Sequence, residues 1–361
     1  MSIRRQIGRL LIAGFEGQQL PVELRALARE FGLGGVILFA RNIQEPEQVA
    51  ELCFAAGRLV PDLPLWTSVD QEGGRVARLK APFTEWPPMA TLGRSGDVGL
   101  AERFAKALGA ELKSIGINLD YAPVLDVLTN AKNPVIGDRA LGDQAKDVAR
   151  LGAAIIRALQ ESGVAACGKH FPGHGDTTVD SHLDLPLVEH PPDRLRAVEF
   201  LPFKAAIDAE VATMMTAHVF VPSLDDERPA TLSKRVVSGL LREELGYEGV
   251  ILSDDLEMKA IANQYAVPSA AVLAIAAGCD GVLICSGDHD TQAAALEALV
   301  HAVEDDRLAF SRVEDALRRQ ERAKGRFAAK TTGRPAGRRA IREALGRDEH
   351  RAVADEMARF L

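Results

Sequence analysis

Residues 164–171 read VAACGKHF: five apolar or small residues, then a lysine and a histidine side by side, then a phenylalanine. A half-exposed strand would alternate polar and apolar residues. A near-continuous apolar run that turns polar only at its end is the mark of a strand covered on both faces. Seven other runs have the same character, at 9–15, 34–40, 64–70, 117–124, 212–219, 249–256 and 281–287. Amphipathic stretches lie between them, among them 21–31, 45–60, 99–116, 145–163 and 233–246, and Gly32, Gly116, Gly163 and Gly246 stand at or just past helix ends. Eight β-runs, each followed by a helix-length segment, predict an α/β fold of the (β/α)8 TIM barrel type over 1–310. The competing architecture, a doubly wound sheet, has no G-x-G-x-x-G after a strand to support it. Residues 311–361 are expected to form a basic helical extension, too short for a second domain.

Composition narrows the functional classes. The chain has 361 residues, 47% apolar, 26% charged and 5% aromatic, the profile of an ordinary globular protein. No apolar stretch approaches the ~18 residues of a membrane span. The N-terminus MSIRRQIGRLLIAGF imitates a secretion signal, but Arg9 interrupts it and no small-residue cleavage site follows, so it reads as a cytoplasmic start. Cys53, Cys167, Cys279 and Cys285 show no metal-ligand spacing and read as buried thiols in a reducing compartment. The net charge of −8 hides an asymmetry: residues 318–347 hold 11 basic against two acidic residues, a local +9 against −17 elsewhere. An acidic body argues against nucleic acid as a partner, and the basic stretch reads as a solvated linker and terminal helix.

In a barrel, chemistry gathers where strands end at the C-terminal face. Asp70, Asp120, Asp126, Lys169, His170, His218, Asp254 and Asp255 all lie at or just beyond the ends of apolar runs. The densest stretch is KHFPGHGDTTVDSH, 169–182. His170 and His174 are suitable metal ligands by type, but Pro172, Gly173 and Gly175 prevent the helix that would align them. Asp176 with Thr177 reads as an Asx turn. Asp180 and His182 form a carboxylate–imidazole pair suited to acid/base work. The loop 172–182 has no pattern able to anchor it to a core, which predicts a mobile loop closing over a ligand and carrying His182 to it. In ILSDDL, 251–256, alternation lets only one carboxylate face the mouth: Asp254 for chemistry, leaving Asp255 to cap the following helix. In SVDQEGGRVAR, 68–78, Asp70 and Arg78 offer an acceptor and a fork of donors, and Gly73-Gly74 would let backbone approach a ligand.

Taken together these stretches resemble glycoside hydrolase family 3, and within it the short, single-domain β-N-acetylglucosaminidases. The KHFPGHGDT…DSH loop is the most specific element; GGVILFARN (34–42), DQEGGRVARL (70–79), INLDYAPVLDV (117–127), IGDRALG (136–142) and SDDLEM (253–258) match in order. The resemblance covers roughly residues 5–310. It implies a retaining exo-β-N-acetylglucosaminidase with Asp254 as nucleophile and His182, paired with Asp180, as acid/base. It places sugar contacts at Asp70, Arg78, Arg139, Lys169 and His170. A muropeptide fragment of cell-wall recycling is the implied substrate, a monomer the implied form, and no cofactor or metal is needed. Alternatives are a phosphorylase using the same site, a broader-specificity family 3 β-glycosidase and a sugar-binding protein without turnover.

Overall fold

The computed structural model describes residues 2–60, 64–181, 184–328 and 337–361. Eight parallel strands close into a barrel, each hydrogen-bonded to its sequence neighbours and the last to the first. In chain order they are β1 (Leu11–Ala13), β2 (Gly35–Leu38), β3 (Trp66–Val69), β4 (Leu119–Asp120), β5 (Ala165–Phe171), β6 (Thr213–Thr216), β7 (Val250–Asp255) and β8 (Gly281–Ile284). Every run expected to be a strand contains one. The apolar character on both faces has the cause inferred from the sequence. Ile12, Ile37, Cys167, Leu252 and Leu283 fill the barrel interior, while their neighbours Leu11, Val36, Ala166, Ile251 and Val282 pack outward against the helices. A two-stranded hairpin, Gln71–Gly73 with Val76–Ala77, follows β3 at the C-terminal mouth.

The helical stretches form as expected, at Val22–Phe31, Pro46–Ala56, Val98–Ser114 and Ala145–Glu161. The helix expected over 233–246 is Arg235–Glu244 and is wound wide, ending with Leu245 N donating to Leu240 O at 2.9 Å.

The basic C-terminal segment differs from its reading as a solvated linker and helix. The helix Phe310–Phe327 packs beneath the N-terminal mouth, and its last residue, Phe327, joins the interior cluster. Lys324 Nζ donates to Gly34 O at 2.6 Å, and Gln320 Nε2 donates to Asp280 O at 2.7 Å. Asp280, fully buried at the start of β8, is paired with Arg242 at 2.7 Å and also with Arg312. Helices Arg338–Ala344 and Asp348–Ala358 lie against the helices Pro46–Ala56 and Val98–Ser114. Arg342 grips Glu47 through two bonds of 2.6 and 2.7 Å, and His350 Nδ1 meets Glu111 Oε1 at 2.8 Å. Among the described residues, Arg319 and Arg322 of this segment pair with Glu248, and Arg342 with Glu47, all in the acidic body of the same chain.

Candidate active site

A cavity of about 250 Å³ opens at the C-terminal mouth, lined by Asp70, Arg78, Arg139, Lys169, His170, Asp180, Asp254 and Asp255 among others. Seven of the eight residues proposed from sequence therefore meet in one place. The eighth, His182, lies outside the described residues.

Asp70 ends β3 and receives Lys169 Nζ at 2.8 Å. Arg78 returns on the hairpin, where Gln71 Oε1 accepts from the backbone N–H groups of both Arg78 and Leu79, at 2.8 and 2.9 Å. Its guanidinium comes within 3.6 Å of Asp70 and lies over the Phe39 ring. Lys169, only 2% exposed, also contacts Glu72 Oε1 at 2.6 Å. Arg139 stands on the turn Gly137–Arg139 and meets the same carboxylate with two bonds, Nε to Oε2 at 2.9 Å and Nη2 to Oε1 at 2.8 Å. Burial alone would favour neutral forms here. Asp70 and Glu72 outweigh it and push the Lys169 pKa above its ordinary value, while Arg139 and Lys169 hold Glu72 well below the usual carboxylate range.

His170 gives Nδ1 to Asp126 Oδ2 at 2.7 Å, and Asp126 Oδ1 accepts from the His174 backbone N–H at 2.7 Å. The arrangement fixes the His170 ring and leaves Nε2 for the cavity. His174 turns away to Thr177 Oγ1 at 2.7 Å and Ser181 Oγ at 3.2 Å. Burial, with His170 nearby, lowers its pKa to about 4, so it stays neutral. The two histidines thus serve different partners instead of converging on one ion.

At the end of β7, burial would raise the Asp254 pKa, but His218, His170, the Asp255 N–H donated to Oδ1 at 2.8 Å, and Lys169 together hold it below the normal carboxylate value. His218 is itself placed by Thr231 Oγ1 at 2.8 Å and the Asp255 carbonyl at 2.9 Å. Asp254 is therefore an ionised carboxylate on a rigid strand end. Asp255 corrects an expectation. It borders the same cavity, and it does not cap the next helix, which begins at Lys259 after Met258. Its Oδ1 accepts instead from Glu257 N at 3.1 Å and Cys285 N at 3.3 Å, tying β7 to the end of β8. Burial, with Glu257 and Asp254 adding repulsion, pushes its carboxyl up to about 7.

The segment 172–181 differs from the unanchored loop expected. Asn133 Nδ2 donates to His174 O at 2.7 Å, Asn130 N to Gly175 O at 3.3 Å, and Ala260 N to Ser181 O at 3.1 Å. Asp176 makes no Asx turn; it takes Thr129 Oγ1 at 2.7 Å and meets His190 Nε2 at 2.6 Å. The anchors come from residues 129–133, 190 and 260, remote in sequence. Gly73 and Gly74 likewise have a different task. With φ of 111° and 55° they make the hairpin turn, and a Cβ on Gly73 would meet Met89 Cε at 2.8 Å and Pro87 O at 2.9 Å, so the close neighbour is protein. Glu72 is the residue the sequence reading missed. Its signal was its place two residues after Asp70, on the same side of an extended segment.

Residues 2–323 match the glycosyl hydrolase family 3 N-terminal domain. The chain belongs to glycoside hydrolase family 3. It is 41% identical over 286 residues to β-hexosaminidase A of Pseudoalteromonas piscicida, an alignment covering 73% of this chain and about half (48%) of that enzyme. It is 40% identical over 293 residues to the β-hexosaminidase of Pseudomonas aeruginosa, covering 80% of this chain and 86% of the relative. Its fold is similar to a family 3 β-N-acetylglucosaminidase from Paenibacillus, with a TM-score of 0.94, 41% identity and coverage of 100% of this chain and 69% of that one. NagZ of Neisseria gonorrhoeae superposes with a TM-score of 0.79 at 31% identity, covering 97% of both chains. The chain is thus a glycoside hydrolase of the β-N-acetylhexosaminidase type.

Proposed function

We propose that this family 3 hydrolase is a retaining exo-β-N-acetylglucosaminidase working through a covalent glycosyl-enzyme intermediate. The observation that carries the reading is Asp254: an ionised carboxylate at a strand end, in a cavity whose other wall is Asp70, Arg78, Arg139, Lys169 and His170. Those five groups are donors and acceptors suited to sugar hydroxyls, and they hold a terminal residue while Asp254 attacks its anomeric carbon. The leaving oxygen takes a proton from His182, whose basicity Asp180 tunes. In the second step His182 removes a proton from water, which displaces Asp254 and restores the β configuration. We further propose a muropeptide fragment as substrate, a monomeric enzyme and a cytoplasmic site of action. The last is supported by four buried, unpaired cysteines, as in a reducing compartment. Among the described residues no helix is long and apolar enough to cross a membrane.

The test is hydrolysis of an aryl β-N-acetylglucosaminide beside the aryl β-glucoside, with the anomer of the first product followed by NMR. The expected outcome is strong preference for the N-acetyl sugar and an initial β product. An initial α product excludes the double displacement, and a sugar 1-phosphate formed when phosphate is added makes the enzyme a phosphorylase.

A further inference from the structure

Glu72 is 2% exposed and is not among the residues that line the cavity, yet it touches two that do. Its Oε1 receives both Lys169 Nζ, at 2.6 Å, and Arg139 Nη2, at 2.8 Å, while Oε2 takes Arg139 Nε at 2.9 Å. Two cations buried side by side repel one another, and a bidentate guanidinium contact is directional as well as strong. One carboxylate shared between them removes the repulsion and sets their spacing. Glu72 is itself placed from below. Its neighbour Gln71 gives its backbone N–H to Asp120 at 2.9 Å and uses its side chain to close the hairpin against Leu79.

We propose that Glu72 is a positioning residue for the sugar subsite, holding Lys169 and Arg139 at one fixed spacing so that both present their remaining N–H groups to neighbouring hydroxyls as a rigid pair. The inference rests on the reading of this cavity as the glycosidase site and deepens it. Asp70 cannot replace Glu72, because it reaches Lys169 and Arg78 but has no bond to Arg139. Glu72 has a second effect through charge. The charged and titratable groups around Lys169 are Asp70 from the end of β3, Glu72 from the hairpin, Asp120 from β4, Arg139 from its turn, Asp254 from β7 and Cys167 on its own strand. Asp70 and Glu72 are the two in contact with the ammonium, so losing one makes Lys169 easier to deprotonate.

The experiment compares wild type, Glu72→Gln and Glu72→Asp on an aryl β-N-acetylglucosaminide across pH, with N-acetylglucosamine binding measured by calorimetry and the folded fraction by thermal melting. Glu72→Gln should lower kcat/KM about 10–100-fold, mainly through KM, with matching loss of sugar affinity. Glu72→Asp keeps the charge but is one carbon too short to serve both cations. It should leave kcat near that of wild type while KM stays raised. A merely structural role would lower the melting temperature or the active fraction and leave KM and sugar affinity in place. Glu72→Gln kinetics and sugar affinity within twofold of wild type overturn the proposal. If Glu72→Gln does not fold, Glu72→Asp decides alone, since a wild-type KM there overturns it too. A wild-type enzyme that fails to cleave the N-acetyl substrate removes the glycosidase reading and this proposal with it, whereas an active wild type with an indifferent Glu72 removes only the latter.

Discussion

Each mouth of the barrel holds a buried lysine, and the pKa values of the two are shifted in opposite directions. Lys169, at the C-terminal mouth, is 2% exposed and lies against two carboxylates, which push its pKa up. Lys324, at the N-terminal mouth, is 6% exposed; its ammonium faces the Gly34 carbonyl and lies 5.8 Å from the centre of the Trp66 ring. Burial, with Arg9 adding repulsion that Glu321 only partly offsets, brings its pKa down to about 7. The desolvation is similar, so the partners decide the sign. At one end charge is assembled and stabilised; at the other a charge is tolerated because the aliphatic stem of the lysine helps close the barrel floor. The division matches the general separation of catalytic from stabilising faces in such barrels.

The sharpest break between the two ends is expected at Asp254. Asp254→Ala removes the nucleophile and should lower kcat/KM by about a thousandfold or more while leaving the melting temperature close to that of wild type. Near-normal turnover in that variant would end the assignment of Asp254.

The lysines themselves supply the next contrast. Lys169→Met leaves Asp70 with Arg78 at 3.6 Å and the buried Glu72 with Arg139 alone, and should cost about 100-fold or more in kcat/KM. Lys324→Met removes no contact to the cavity and should leave kcat/KM within about twofold of wild type. Its effect falls on stability. A base whose pKa is lowered in the folded state costs the fold stability below its unfolded value of ~10.4, fully so below the folded value and progressively less as pH rises between them. Methionine has no such cost, and Gly34 O keeps a partner in Trp66 N at 3.1 Å. The variant should therefore be more stable than wild type at pH 7, by up to a few kcal/mol, and should lose that advantage toward pH 10. Urea titrations at the two pH values check it; a destabilised variant at pH 7 means the ammonium contact outweighs its desolvation.

The same contrast bears on what could be read in advance. Strands covered on both faces leave an unmistakable apolar run, so all eight were legible. Their lengths were not: the run 117–124 yields only Leu119–Asp120, because Pro123 has no N–H for the ladder and pairing resumes at the isolated bridge of Val124 with Lys169. Polar residues at strand ends were legible because few other forces place lysine and aspartate there. The anchors of segment 172–181 were not, since Thr129 and Asn133 reach it across more than forty residues of sequence, and neither side chain is unusual where it stands. Glu72 was hidden by its neighbours, a carboxylate beside a Gly-Gly pair that drew the turn interpretation. At the other mouth, the charge of 318–347 was visible but its partners were not, because Glu47 and Glu248 stand far apart in the acidic body.

The smallest effect concerns the helices Arg338–Ala344 and Asp348–Ala358 on the side of the barrel. Glu111, 2% exposed on the helix Val98–Ser114, accepts four hydrogen bonds: Thr84 N at 2.9 Å, Thr84 Oγ1 at 2.6 Å, Gly346 N at 3.0 Å and His350 Nδ1 at 2.8 Å. Burial alone would raise its pKa, and these bonds, His350 first, bring it below the ordinary value. A carboxyl depressed in the folded state contributes stability that is present above the unfolded value of ~4.3 and is lost as pH falls through the folded value. Glu111→Gln keeps the shape but replaces one acceptor oxygen with a donor facing Thr84 or His350. It should cost about 1–3 kcal/mol at pH 7, leave kcat/KM unchanged, and lose much of its deficit when wild type and variant are compared below pH ~4. A deficit equally large at both pH values would assign the loss to packing and not to the carboxylate charge, and a fall in kcat/KM would show that the Glu111 contacts influence the catalytic mouth after all.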